Sequence, residues 1–132
     1  MVENNIEEKK SVPILLVDDN KDYRDTMELW LKSEGYTVEV AASGEEAIDI
    51  IKKGGKMVVF LDIKMPNMDG VETLRRIREF NKEIPVIMVT AHGDEKHLKE
   101  CKKLGIAGFF PKGDDFINAV GLITTALRIL KK

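Results

Sequence analysis

With 132 residues the chain has the length of one domain, and 43% apolar and 33% charged residues suit a folded globular protein. A formal net charge of −2 gives no basis for non-specific nucleic-acid binding, and a single cysteine cannot close an internal disulfide, which favours a reducing, cytoplasmic compartment. No apolar run approaches the ~20 residues of a membrane span, and the charged start MVENNIEEKK lacks a signal-peptide core, so residues 1–11 are read as a flexible lead-in.

From residue 12 onward strand and helix patterns alternate. Residues 12–17 form a buried apolar run, and 21–33 a helical pattern with Tyr23, Met27, Trp30 and Leu31 on one face and Gly35 at its end. Residues 37–41 make a short strand broken by Glu39. Ser43 then opens a helix, with Glu46 completing a capping box, and the Gly54-Gly55 pair closes it. A third strand spans 57–61. The turn-rich MPNMDG leads into a helix carrying Val71, Leu74 and Ile77. Residues 83–89 are a fourth strand led by Pro85, and 94–104 a polar helix ending at Gly105. Cys101 shares the apolar side of that helix with Leu98 and Leu104 and is read as a packing residue. A short strand over 108–111 and a helix over 115–131 complete the chain.

Five such β-α units predict an α/β fold, a doubly wound five-stranded parallel sheet with helices on both faces. The flavodoxin-like strand order 2-1-3-4-5 suits this length best, with the weakly apolar second strand at an edge. The length leaves no room for a second, effector domain.

Chemistry gathers where the apolar runs stop. Asp18 and Asp19 end ILLVDDN, and Asp62 ends VVFLD, at the strand ends where open parallel sheets bind ligands. Acids so placed repel one another unless a cation holds them, and a hard divalent ion such as Mg²⁺ prefers carboxylate oxygens. Thr90 ends PVIMVT and Lys112 follows AGFFP, adding a hydroxyl and an ammonium. Acids, metal, hydroxyl and lysine together suit the handling of a phosphoryl group. Pro66 and the Asp69-Gly70 pair are expected to supply the restricted and permissive backbone positions of the turn after Asp62. His92 and His97 are read as surface residues.

VDDN at 17–20, FLDIKMPNMDG at 60–70, VTA at 89–91 and GFFPK at 108–112 closely resemble the receiver domain of two-component response regulators. The resemblance runs from about residue 12 to the C-terminus, and four motifs in order, each at a predicted strand end, make it specific. It implies that Asp62 is the phosphoacceptor, that Thr90 and Lys112 are catalytic, and that Asp18, Asp19, Asp62 and the backbone carbonyl of Lys64 hold Mg²⁺, with Mn²⁺ as a substitute. It also implies that Thr90 and Phe109 form a switch, with Phe110 in the core, and that Lys64 and His92 tune the lifetime of the phosphoryl group. The implied partners are a histidine kinase or phosphotransfer protein and a downstream protein or fused effector domain, without direct nucleic-acid or membrane binding. A homodimer formed on phosphorylation is compatible with the family. Such a protein catalyses only its own phosphorylation and dephosphorylation.

One position departs from the family pattern. Gly113 follows Lys112 where the family usually has a proline joined by a cis bond, so a trans bond and a loosely placed Lys112 are expected. Two other protein classes fit these residues less well. A flavin carrier would need a Ser/Thr/Gly-rich phosphate loop where Asp18-Asp19-Asn20 stands. A metal-dependent phosphatase would need a second acid where Lys64 stands.

Overall fold

A computed structural model describes residues 11–130. The predicted lead-in, apart from Ser11, and the last residue of the predicted final helix, Lys131, lie outside the described residues. Five strands and five helices alternate among them: β1 (Ile14–Val17), α1 (Lys21–Ser33), β2 (Val38–Ala41), α2 (Gly44–Lys52), β3 (Val58–Asp62), α3 (Gly70–Phe80), β4 (Val86–Thr90), α4 (Glu95–Leu104), β5 (Gly108–Pro111) and α5 (Ile117–Leu130). All strand pairs are parallel and the order is β2-β1-β3-β4-β5, as the sequence predicts. Several strands start later than the apolar runs suggest, β4 at Val86 rather than residue 83: the Glu83 and Ile84 amides donate to Asn81 Oδ1, and Pro85 meets the sheet through its carbonyl alone, which accepts from Val59 N.

Period-2 alternation along the strands divides the core in two. Leu15, Val17, Val59, Leu61, Val86 and Met88 face α2, α3 and α4, where Ile48, Leu74, Ile77 and Cys101 are buried. Ile14, Leu16, Val58, Phe60, Ile87 and Val89 face α1 and α5, against Met27, Leu31, Ile123 and Leu127. Cys101 is wholly buried, in keeping with packing. The adjacent residues Phe109 and Phe110 therefore stand on opposite sides: Phe109 is half-buried against the first cluster, and Phe110 is fully buried in the second.

The caps fix where the helices begin. Asn20, not Asp18 or Asp19, caps α1, accepting from Tyr23 N at 3.0 Å. Ser43 caps α2, with Glu46 Oε2 reaching back to Ala42 N. Asp69 caps α3, accepting from Glu72 N at 2.8 Å. Freeing Asp18 and Asp19 from capping leaves both carboxylates available at the end of β1.

Candidate functional site

The loop after β1 and the end of β3 bring Asp18, Asp19 and Asp62 together, with one carboxylate oxygen from each lying within 4.8 Å of the others. Asp62 is 2% exposed and Asp18 is similarly buried, while Asp19 faces solvent. Asp18 is oriented from behind: its Oδ1 accepts from Asn20 N at 2.9 Å, and its backbone carbonyl accepts from Arg24 Nη1 at 2.6 Å. This all-oxygen donor set, two members of it withdrawn from water, fits a hard divalent cation and would suit a soft one poorly.

Lys112 reaches the same acids from the turn after β5. Its Nζ lies 2.9 Å from Asp18 Oδ2 and 3.4 Å from Asp62 Oδ2. Burial works against the ammonium, but contact with Asp18 and the charge of Asp62 outweigh it and hold the lysine pKa above its ordinary value. Burial, and then the charge of Asp18, push the Asp62 carboxyl from 3.8 up to about 7, with Lys112 opposing and Asp19 adding to the rise. Three acids and one ammonium thus share the site, two positive charges short of balance when every carboxyl is ionised.

The expectation of a loosely placed Lys112 is overturned. The Lys112–Gly113 bond is trans, and Gly113 stands at φ 90°. Asp114 N donates to Pro111 O, closing a turn with Gly113 at its third position, where positive φ calls for glycine. Lys112 N donates to Thr90 O at 2.6 Å, so the turn is tied to the end of β4 and the side chain has two acids to hold it.

The turn after Asp62 also differs from expectation. Its left-handed residue is Asn67, at φ 68°, a conformation asparagine tolerates. Asp69 serves as the cap of α3, and Gly70 is needed for closeness: a Cβ there would overlap the backbone carbonyl of Asp62.

The remaining predicted residues are more dispersed. Thr90 is half-buried at the end of β4, beside the strand that carries Asp62, and His92 is exposed. His97 is half-buried and lines a groove of about 410 Å³ with Lys64 and Asp69. The Lys64 side chain is held by Asp94, Nζ to Oδ1 at 3.4 Å. Sequence reading missed Asp94, which is buried and accepts from Ala91 N at 2.7 Å instead of capping α4. It also missed Arg24 and the approach of the Tyr23 ring to Lys112, at 4.8 Å from Nζ to the centroid. Only the position of both residues in the first turn after the acid pair hinted at this.

Residues 14–120 match the model of the response regulator receiver domain. Sporulation initiation phosphotransferase F of Bacillus subtilis is 39% identical over 102 residues, covering 77% of this chain and 82% of that protein. The transcriptional regulatory protein ZraR of Escherichia coli is 32% identical over 117 residues, covering 89% of this chain but 26% of that longer protein. A response regulator receiver domain protein from Clostridium thermocellum superposes with a TM-score of 0.86 at 27% identity, over 91% of this chain and 97% of that one.

Proposed function

Because the chain belongs to the response regulator receiver family, and so is a phosphoacceptor switch of two-component signalling, we propose that Asp62 is its phosphoacceptor and residues 12–132 its receiver domain. The observation that carries the assignment is the burial of Asp62 at the end of the central strand, with Asp18, Asp19 and Lys112 around it.

A carboxylate oxygen of Asp62 attacks phosphorus in line with the departing group, a histidine nitrogen of a kinase or phosphotransfer protein, or acetate from acetyl phosphate. The bond to that group breaks as the aspartyl phosphate forms. Asp18, Asp19, Asp62 and the Lys64 carbonyl would hold Mg²⁺, or Mn²⁺ in its place, and the bound cation would supply the positive charge that lets two anions approach. Lys112 is already paired to Asp62 and carries its charge to the acyl phosphate. The Thr90 hydroxyl donates to a phosphoryl oxygen, and Phe109 turns inward into the space vacated. Lys64 and His92 flank the group and set how soon water removes it, and Asp94 restrains Lys64. The chain thus catalyses its own phosphorylation and hydrolysis and no other turnover.

Its partners are a cytoplasmic histidine kinase or phosphotransfer protein and a downstream protein or fused effector domain. The relative named for phosphotransfer supports a role within a relay, and ZraR, in which the matched segment is a minority of the chain, supports fusion to an effector. No helix among the described residues is long and apolar enough to cross a membrane. Intact mass after incubation with acetyl phosphate and Mg²⁺ tests the assignment. Wild type should gain one phosphoryl group and Asp62→Asn none; equal incorporation would overturn it.

A further inference from the structure

Lysine carries a compact charge on a flexible four-carbon stem, so two carboxylates alone leave it several ways to sit. The third side of Lys112 is closed by an aromatic face, the Tyr23 ring, whose centroid lies 4.8 Å from Nζ. That ring is braced. It meets Phe116 edge-on at 6.0 Å, Phe116 stacks on Phe110 at 6.2 Å, and Phe110 meets Phe60 of β3 at 6.3 Å. The backbone of Tyr23 is fixed as well, by its N–H on the Asn20 cap. Its hydroxyl is buried and has no hydrogen-bond partner among the described residues, so the polar atom of the side chain does no positioning and the ring face is what meets the lysine.

We propose that Tyr23 is a positioning residue for the phosphoryl-transfer step, its ring face holding the Lys112 ammonium over Asp18 and Asp62 in a turn that has glycine, not proline, after the lysine. The inference rests on the role given to Lys112 above. A neutral π face attracts the cation without adding a negative charge to a site that must receive an anion. When Asp62 becomes an acyl phosphate, the ammonium is thus kept in reach of the new oxygens.

The test uses the full chain with acetyl phosphate and saturating Mg²⁺, reading initial phosphoryl incorporation by intact mass. Tyr23→Phe keeps the ring and should stay within about twofold of wild type, while Tyr23→Leu should be about tenfold slower. In a Lys112→Ala background Tyr23→Leu should cost nothing further. The second readout needs no phosphorylation: the Cε protons of Lys112 should resonate upfield in wild type and Tyr23→Phe, under the ring current, and return to ordinary values in Tyr23→Leu. A wild-type rate in Tyr23→Leu, the same tenfold loss without Lys112, or unshifted Lys112 protons in wild type would overturn the platform. Lys112→Ala at the wild-type rate would instead overturn the role of Lys112 itself. If Tyr23→Leu fails to fold, the Lys112 resonances in wild type and Tyr23→Phe decide.

Discussion

Replacing Asp62 by asparagine should stabilise the metal-free protein, and by an amount that grows with pH. The aspartate is 2% exposed, its pKa is lifted from 3.8 to about 7 chiefly by burial and then by Asp18, and asparagine has nearly the same shape with no proton to lose. Well below pH 3.8 the carboxyl is neutral both folded and unfolded and contributes nothing to the difference. Between about pH 4 and 7 the folded chain binds more protons at this group than the unfolded chain, so wild-type stability falls as pH rises. Moving one carboxyl from 3.8 to about 7 corresponds to about 4 kcal/mol, fully expressed only above about pH 7. Urea unfolding in EDTA, wild type beside Asp62→Asn, should show little difference near pH 4 and a gap of roughly 2–4 kcal/mol in favour of the variant near pH 8. A gap that stays constant across that range would refute the reasoning, because a packing effect of the substitution has no reason to follow the titration.

Restoring the cation should reverse this penalty. With Mg²⁺ at about a hundred times its Kd near pH 8, the urea unfolding free energy of wild type should rise by about 2.7 kcal/mol, and that of Asp19→Asn by less at the same concentration. Gly70→Ala should lower stability by about 1–3 kcal/mol and slow phosphorylation, since the new methyl overlaps the Asp62 carbonyl; an unchanged urea midpoint would contradict that contact. Gly113→Pro should slow acetyl phosphate incorporation, because proline holds φ near −65° where Gly113 stands at 90°; a faster variant would mean that the turn has a second competent form.

The parts of the site that lie along the strands were legible in the sequence. Buried parallel strands announce themselves as short apolar runs, so the residues that end them, Asp18, Asp62 and Thr90, could be placed at one edge of the sheet before any contact was known. Capping signals placed Ser43 well, because a cap acts within four residues of chain. The groups that steady the site were not legible. Tyr23 meets Lys112 across 89 residues of sequence, and nothing local to either signals the other. Asp94 was legible only as the start of a polar helix, yet its carboxylate turns back to Ala91 N and Lys64. Gly70 reads as a turn glycine, whereas its lack of a side chain matters for packing against Asp62.

The opposed orientation of Phe109 and Phe110 gives the molecule a fixed side and a movable side. Phe110 is locked into a lattice of rings with Phe60 and Phe116, and Trp30 leans on Phe116 at 5.9 Å, so the α1–α5 layer acts as a bearing. Phe109, one residue earlier, is only half-buried, with Lys102 of α4 over its ring at 5.6 Å, and packs on the other face of the sheet from that lattice. On the roles proposed for Thr90 and Phe109, displacement that begins at Thr90 would be channelled toward α4, with the opposite layer as a built-in reference frame. A fluorophore on α4 would report the state of Asp62, while the single tryptophan, Trp30, would stay silent and calibrate it.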